Sequence, residues 1–226
     1  SCYSIRRLKR ICKIIYHHMP SCQKFQQKIR DLREKLPELR ELLLKYRDTG
    51  DEKYLKEIEE KRNVLYQEIE NFREKEFIPK VKRLLEKWFR ETTRGEKELP
   101  EFHFTKEGRV EIETLDFSEL SLSSFYLPKI IRSIEKLYCY NNQLTSLPEL
   151  PKNLQKLYCD YNKLTSLPEL PDNLQLLNCG SNQLTSLPEL PDNLYWLECN
   201  GNPLSQQTIE RIKKHPNYDP ERFKVL

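Results

Sequence analysis

Cysteine, histidine and acidic side chains are the residues of this chain that could carry catalysis or hold a metal ion. No two of the seven cysteines lie closer than ten residues, so the chain lacks the CxxC motif of zinc and redox sites. The four histidines form no HExxH motif, and the five glycines form neither a P-loop nor a dinucleotide-binding loop. No isolated pair of carboxylates can be placed together from sequence alone. We therefore predict no catalytic residue, no metal site, no cofactor, no small-molecule substrate and no enzymatic activity.

Four of the cysteines instead mark a repeat of 20 residues. Each cysteine lies two residues after a leucine and three residues before an asparagine. Three units continue through the same Leu-Thr-Ser-Leu-Pro-Glu-Leu-Pro segment, at 144–151, 164–171 and 184–191. A fixed period of this length predicts a solenoid in which each unit stacks on its neighbours. The aligned cysteines are Cys139, Cys159, Cys179 and Cys199, and the aligned asparagines are Asn142, Asn162, Asn182 and Asn202.

Alternation within a unit separates a buried column of side chains from an outward one. In Leu157-Tyr158-Cys159-Asp160, the period of two directs Leu157 and Cys159 inward, so the cysteines are predicted to pack rather than crosslink. The outward positions are candidate partner-binding residues, because exposed aromatics among charges are typical of binding hot spots. Tyrosine and tryptophan also favour strands for local reasons, which is the alternative explanation. The candidates are Lys136, Tyr138, Tyr140, Lys156, Tyr158, Asp160, Leu176, Asn178, Trp196, Glu198 and Asn200, with Gly180 at the remaining outward position.

The rest of the unit is predicted to be scaffold. Asn162 and its equivalents follow the strand, where a short amide side chain can satisfy backbone groups and form a ladder across units. Pro168 and Pro171 hold the return segment extended, because proline fixes φ and discourages helix before it. A unit of this length with two prolines leaves no room for a helix on the return side.

The motif LxxLxCxxNxLxxLPxLP, as from Leu154 to Pro171, resembles the LPX-type leucine-rich repeats of secreted bacterial effector proteins. The resemblance covers roughly residues 109–204 and implies a curved solenoid with a parallel sheet on its concave side, where a protein partner binds. Some relatives carry a helical segment before the repeats and a ubiquitin-ligase domain with a Cys-x-Asp nucleophile after them. No cysteine here has Asp two positions later, so we expect that ligase domain to be absent.

Charge divides the chain into two chemically different parts. Residues 1–100 contain 26 Lys and Arg against 18 Asp and Glu, whereas the remainder contains 39 − 26 = 13 basic and 35 − 18 = 17 acidic residues. Residues 1–30 carry eight basic residues and no acid. Residues 1–20 are therefore a basic amphipathic segment that either docks on the next helix, remains a disordered tail, or contacts an anionic membrane or nucleic acid.

Helical periodicity extends from Cys22 to Arg90. Spacings of four and three residues predict an apolar seam of Phe25, Ile29, Leu32, Leu36, Leu39, Leu43 and Tyr46. Pro37 predicts a kink or restart, and Thr49-Gly50-Asp51 predicts a helix stop followed by an N-cap. The second helix is predicted to run from Leu55 to about Lys75. A separate third helix is predicted near Phe77, with Pro79 in its first turn.

These observations predict an α+β chain with an N-terminal helical bundle or hairpin followed by a short leucine-rich-repeat solenoid with a parallel concave sheet. The predicted parts are a basic segment 1–20, a helical bundle 21–92, a linker 93–100, a hairpin cap 101–114, repeats 115–204 and a helical C-terminal cap 205–226. The sequence contains no apolar run of about 18 residues, so it predicts no membrane-spanning helix. The hairpin is expected at the turn 105–108, and the C-terminal cap is expected to present Ile209 and Ile212 and to extend to Tyr218, Phe223 and Leu226.

The leading functional prediction is a non-enzymatic module that binds a protein on the concave sheet. The alternatives are an adaptor that contacts a membrane or nucleic acid through residues 1–30, and the recognition half of a longer effector. Cysteines spaced for packing favour a reducing, intracellular and cytoplasmic location, with delivery into a host cell if the protein is an effector.

Overall fold

The computed structural model describes residues 27, 30–32, 34–105 and 109–225. The predicted basic segment 1–20 lies outside the described residues, as do Phe25, Ile29, most of the predicted hairpin turn and Leu226. Two compact units are present. One contains the helical residues up to Lys87 together with Phe104–Arg109, and the other contains Trp88–His103 and the chain from Val110 onwards. The predicted linker 93–100 falls within the second unit.

The first helix, α1 (Leu36–Thr49), begins where proline requires it. Residues 30–32 and 34 are helical, Lys35 is a turn, and Pro37 lies in the first turn of α1, which confirms the predicted restart. Gly50 ends the helix in the left-handed region at φ 67°, and its N–H donates to the Tyr46 carbonyl at 2.8 Å. The Asp51 carboxylate then accepts from the Lys53 N–H at 3.0 Å, as predicted for an N-cap.

The predicted break before a third helix is wrong. Helix α2 (Glu52–Phe72) continues through a π-helical segment (Arg73–Phe77) directly into α3 (Ile78–Thr93). The Ile78 N–H donates to the Arg73 carbonyl, five residues back, so the turn before Pro79 is wider than an α-helical turn. Proline lacks an N–H and its ring crowds the preceding turn, so a widened turn lets the helix continue without a loop.

The helices bury one side and expose the other. Helix α1 packs on α2, and Lys35 forms an ion pair with Glu68 at 2.7 Å. Leu55 and Leu84, which helical periodicity places among the apolar residues of α2 and α3, are 36% and 50% exposed, because the 3.6-residue period carries them to the edge of the buried stripe. None of the described helices is long and apolar enough to cross a lipid bilayer. The buried core residues of α1 and α2 are Leu36, Leu39, Leu42, Ile58, Leu65, Ile69 and Phe72.

A parallel sheet organises the second unit. Within the described residues, seven strands lie side by side in sequence order, and every neighbouring pair from β2 to β7 is parallel. The 20-residue period becomes the pairing register, because Leu137 lies opposite Leu157 and Leu177 opposite Leu197. The strands are β1 (Phe102–Phe104), β2 (Val110–Asp116), β3 (Ile131–Tyr138), β4 (Lys156–Tyr158), β5 (Leu176–Asn178), β6 (Trp196–Glu198) and β7 (Phe223–Lys224).

The first repeat begins at Leu115, is 22 rather than 20 residues long, and is covered by an aromatic cluster. The sequence assigned this capping role to the hairpin 101–114, whose strands β1 and β2 join the sheet as its first two members. The end of α3 adds a second cover, since the rings of Trp88 and Phe89 lie 5.7 and 5.5 Å from the ring of Phe117. The Phe125 ring lies 5.0 Å from Phe117, and Phe117 is completely buried.

The C-terminal end of the stack is closed by a helix and a strand. Helix α4 (Gln206–Lys213) begins after Ser205, whose hydroxyl accepts from the Thr208 N–H, and it buries Ile212 completely. The sequence predicted this helix but not β7, which pairs with β6 and buries Phe223. The chain is therefore a helical region followed by a parallel β-solenoid of leucine-rich-repeat fold, as predicted.

Candidate functional site

The asparagine ladder fixes the spacing of the strands that carry the outward residues. Asn162 donates through Nδ2 to the carbonyls of Cys139, Cys159 and Asp160 at 2.9, 3.1 and 3.1 Å. Its Oδ1 accepts from the Leu144 N–H at 2.9 Å. Each such side chain therefore satisfies backbone groups in its own unit and in the preceding one, and the same pattern recurs at Asn142, Asn182 and Asn202.

The cysteine column forms the inner wall of the solenoid. Cys139, Cys159, Cys179 and Cys199 are free thiols with no exposed surface. Burial raises the pKa of all four thiols, in the case of Cys199 to about 12. Since the thiolate is the nucleophile and metal ligand, these side chains are chemically inert packing residues. Within the described residues, no three His, Cys, Asp or Glu side chains form a group that could hold a metal ion.

We expect these thiols to resist alkylation until the solenoid unfolds. With the pKa of Cys199 raised from 9.0 to about 12, its thiolate at pH 8 is about a thousandfold scarcer than in an unfolded chain. Timed labelling with iodoacetamide at pH 8, followed by peptide mass mapping, should modify the peptides of this column only after denaturant is added. Equal labelling rates in the native and denatured protein would contradict this assignment.

The candidate binding residues share one side of the sheet, here named the outward sheet face. Strand register arranges them in three columns that run across β3, β4, β5 and β6 and the residues just after each strand. All are half-buried except Gly180, which is buried, and Asn200, which is exposed. The columns are Lys136, Lys156, Leu176 and Trp196; Tyr138, Tyr158, Asn178 and Glu198; and Tyr140, Asp160, Gly180 and Asn200.

Three tyrosines of this face lie together. Tyr138 and Tyr158 occupy paired positions on β3 and β4, and their rings stack with centroids 4.8 Å apart and planes inclined by 24°. The Tyr140 ring meets Tyr138 edge-on at 6.4 Å. Stacked and edge-on contacts of this kind hold the rings in fixed positions. Burial raises the pKa of the Tyr158 hydroxyl, and the neighbouring tyrosines and acids add to the shift.

Trp196 lies apart from the tyrosines, on β6, two strands or about 10 Å from Tyr158. Its indole N–H donates to the Glu198 carboxylate at 3.2 Å. Lys224 donates to the same carboxylate at 2.9 Å and lies 5.3 Å from the centroid of the indole ring. Sequence reasoning missed Lys224, because β7 lies outside the repeat and carries no period that would assign its register.

Ion pairs also hold the charged residues at the β2 end of the face. Lys136 pairs with Glu113 at 2.8 Å, and Lys97 pairs with Asp116 at 2.7 Å. Burial pushes the pKa of the Asp116 carboxyl up, but hydrogen bonds from Lys97 and Ser118 outweigh it and the pKa lies below its usual value. The strand pairing places Asp116 opposite Tyr138, so this acid extends the second column. Sequence reasoning missed Asp116, because the first repeat is 22 residues long and departs from the 20-residue period that assigned the other positions of the column.

Asp160 and Lys156 differ from these charged neighbours. Across the part of the chain that the structure describes, neither side chain forms an ion pair. Burial raises the pKa of the Asp160 carboxyl, a hydrogen bond from its own backbone opposes the shift, and Glu198 adds to it. Among the described residues, the outward sheet face therefore presents one uncompensated base, Lys156 at the start of β4, and one uncompensated acid, Asp160, two residues after the end of β4.

Gly180 occupies the third-column position next to Asp160, and oxygen atoms of neighbouring residues lie close around it. A methyl group added at Gly180 would lie 3.3 Å from both the backbone oxygen and the Oδ1 atom of Asn200, and 3.5 Å from Oδ1 of Asn178. The Asn178 Oδ1 atom accepts from the Gly180 N–H at 3.2 Å. Two amide oxygens thus border the position where the other three units carry a side chain.

Tyr161, the residue after Asp160, was also missed by sequence reasoning. The corresponding position of every regular unit is in the left-handed region, with φ of 52° at Asn141, 51° at Tyr161, 52° at Ser181 and 69° at Gly201. Asparagine and glycine suit this conformation, whereas a bulky tyrosine is strained there. The Tyr161 side chain is 63% exposed. The sequence signal was an aromatic residue in a column of small polar residues.

Comparison with known proteins identifies the repeat. Residues 132–172 match the family model for leucine-rich repeats in two copies, so the chain carries leucine-rich repeats. Similar solved structures include the leucine-rich-repeat domain of a Shigella effector, at 44% identity over 40% of each chain and a TM-score of 0.38. Another is YopM, a leucine-rich effector protein from Yersinia pestis, at 38% identity over 41% of this chain and 26% of that chain, with a TM-score of 0.36.

A leucine-rich-repeat protein of Leptospira interrogans is also similar, at 33% identity over 41% of this chain and 25% of that chain, with a TM-score of 0.32. The chain thus spans 40% or less of the length of these three proteins. No curated protein sequence matches the chain.

Proposed function

We propose that this leucine-rich-repeat chain is a non-enzymatic module that binds a protein partner on its outward sheet face. The observation that carries the proposal is a cluster of three tyrosines on one side of the sheet, in which the Tyr138 ring stacks on Tyr158 and meets Tyr140 edge-on. Leucine-rich-repeat domains generally mediate protein–protein interaction, and repeat solenoids offer extended surfaces rather than closed pockets.

The fixed positions of the aromatic side chains support this function. Large aromatic side chains supply contact area at low entropic cost when their positions are already fixed, which lowers the free-energy penalty of binding. The tyrosine rings are fixed by mutual stacking, and Trp196 is fixed by Glu198 and Lys224. The backbone beneath them is held by the asparagine ladder. The aromatic residues of the outward sheet face are therefore already ordered before a partner binds.

The test begins with affinity capture from cell lysate by the wild-type chain, and the recovered proteins are identified by mass spectrometry. Binding of the purified partner is then measured quantitatively for the wild type and for a Tyr138→Ala/Tyr158→Ala/Trp196→Ala variant. We expect the triple substitution to weaken binding at least about 30-fold, since a single hot-spot residue contributes about 2 kcal/mol or more.

Tyr126→Ala is the matched control. Tyr126 is 62% exposed and lies on the loop between β2 and β3, outside the outward sheet face, so its removal should leave binding unchanged. Circular dichroism must first show that both variants are folded. Equal partner recovery by the folded triple variant and the wild type would rule out this face as the binding site.

A second candidate function rests on charge rather than shape. Residues 1–30 contain eight Lys or Arg and no acid, which suits contact with an anionic membrane or with phosphates. Cosedimentation with phosphatidylserine vesicles and filter binding to RNA would detect it. A comparison with the chain lacking residues 1–26 would show whether this segment is responsible. Binding that is absent, or that is insensitive to salt, would exclude this candidate.

A further inference from the structure

We propose that Asp160, the side-chain amide oxygens of Asn178 and Asn200 beside Gly180, and the neighbouring tyrosines form an acceptor site for one arginine side chain of the protein partner. The inference rests on the proposed function and adds the chemistry of the partner. It assigns the contact to the middle of the outward sheet face, between the tyrosine cluster and Trp196.

Asp160 is the carboxylate on this face that lacks a cation among the described residues. Asp116 is compensated by Lys97 at 2.7 Å and Glu198 by Lys224 at 2.9 Å. Asp160 is half-buried to a comparable degree, and no basic group contributes to its electrostatic environment. A carboxylate that has lost part of its hydration without a cation is unfavourable in the free protein, and a cation supplied by a partner relieves that penalty.

Oxygen acceptor atoms lie in the repeats next to this carboxylate. Gly180 follows Asp160 in the third column, and backbone pairing holds the two units together, since the Tyr161 N–H donates to the Gly180 carbonyl at 3.0 Å. Neighbouring units are therefore about 4.8 Å apart here. The side-chain amide oxygens of Asn178 and Asn200 lie close around Gly180, which is itself buried. A guanidinium that contacts Asp160 from solvent thus has further oxygen acceptors in the neighbouring repeats.

The tyrosines complete the site on the opposite side of Asp160. Tyr140 precedes Asp160 in the same column, and Tyr158 lies two residues earlier on β4, on the same face. Tyrosine ring faces carry negative potential and attract cations. A planar guanidinium can stack on a ring while it donates several hydrogen bonds in one plane, whereas a lysine ammonium cannot do both. The combination of carboxylate, amide oxygens and ring faces therefore favours arginine.

Lys156 limits the site to a single cation. It lies four residues before Asp160 on the same face, or about 13 Å away along an extended strand, and has no ion-pair partner among the described residues. A stretch of consecutive basic residues would meet repulsion at Lys156. An isolated arginine, with a neutral or acidic residue where the partner crosses Lys156, would not.

The experiment uses small probes, so it does not depend on knowing the partner. N-acetyl-L-arginine methylamide and its citrulline analogue, which is nearly isosteric but neutral, are titrated separately into the ¹⁵N-labelled full chain at pH 7. We expect arginine to give saturable shifts in the amide signals of Asp160, Gly180 and Asn200, and citrulline to give none at the same concentrations.

Two substitutions and one control locate the contact. Asp160→Asn removes the charge at nearly constant volume and should weaken arginine binding about tenfold or more. Gly180→Ala places a methyl group 3.3 Å from the backbone oxygen and the Oδ1 atom of Asn200. These acceptors must then shift, so the substitution should weaken arginine binding while leaving the charge in place. Asp172→Asn makes the same chemical change at an exposed turn before β5, outside the outward sheet face, and should have no effect.

The outcomes separate this inference from the proposed function. Equal shifts with arginine and citrulline, or arginine binding unchanged in folded Asp160→Asn, would overturn the arginine site. In another outcome, folded Asp160→Asn binds the captured partner normally while the Tyr138→Ala/Tyr158→Ala/Trp196→Ala variant does not. That result would support the outward sheet face as the binding site and rule out the arginine contact at Asp160. If the arginine site is confirmed but the triple variant retains the partner, the proposed function fails instead.

Discussion

Replacing Phe117 with alanine is expected to lower the free energy of unfolding of the leucine-rich-repeat solenoid by about 3–5 kcal/mol, the usual cost of removing a fully buried phenylalanine. Phe117 has no exposed surface and lies against Trp88, Phe89 and Phe125. The cavity would open where the first repeat is covered, and a solenoid transmits such damage to the next unit because each unit is stabilised by its neighbours. Urea unfolding followed by circular dichroism measures the loss.

The two tryptophans allow the unfolding of different parts of the solenoid to be followed separately by fluorescence. Trp88 lies in the affected cluster, and Trp196 lies on β6. In a Trp196→Phe background, the fluorescence of Trp88 should report an earlier transition in Phe117→Ala than in the parent. Tyr126→Ala removes a largely exposed aromatic residue that also neighbours Trp88 and should cost less than about 1 kcal/mol. Similar losses for the two variants would show that Phe117 does not hold the cap in place.

Asn162→Ala is expected to destabilise the solenoid by at least about 3 kcal/mol, because it leaves several buried backbone groups without partners. The side chain donates to the carbonyls of Cys139 and Cys159 and accepts from the Leu144 N–H. These groups are buried, and water cannot replace the lost hydrogen bonds without opening the stack. Because Asn162 links two repeats, its loss should weaken their stacking without changing the secondary structure of the native protein. The midpoint of urea unfolding should therefore fall, whereas the far-ultraviolet circular dichroism signal of the native protein should change little.

Asn173→Ala provides the matched comparison. Asn173 is also an asparagine of the repeat, but its side chain is exposed and donates a single hydrogen bond, to the Lys152 carbonyl at 3.1 Å. Its removal should cost less than about 1 kcal/mol. A loss at Asn162 no larger than the loss at Asn173 would mean that the ladder contributes little to stability.

Stability and binding are assigned to different residues of the same unit, and this separation makes the binding predictions testable. Cys159 and Asn162 face the interior or the backbone, so substitutions there change folding. Tyr158 and Asp160 alternate with them on the outward side, so substitutions there can change binding while the fold is kept. Asp160→Asn should even be well tolerated, because burial without a cation disfavours the charged form that it removes.

Sequence by itself determined the repeat unit and its two faces. A 20-residue period sets the register of Leu137 on Leu157 and Leu177 on Leu197, and strand alternation then assigns Tyr158 outward and Cys159 inward. These properties are local and repeated, so the backbone geometry of one unit predicts them in all. The helix stop at Gly50 and the N-cap at Asp51 were predictable for the same reason, since both depend on a few adjacent residues.

Only the tertiary structure decided the features that depend on distant, unrepeated residues. The π-helical passage before Pro79, the cover of Phe117 by the end of α3, and the addition of β7 leave no periodic signal. The same limit applies to charge. Sequence placed Asp160 and Glu198 on one face, and strand pairing added Asp116. The cations that compensate Asp116 and Glu198 come from Lys97 and Lys224, outside the regular repeats. Asp160 differs from these two acids because none of the described residues folds back to neutralise it, and pairing between residues far apart in sequence is fixed only when the chain has folded.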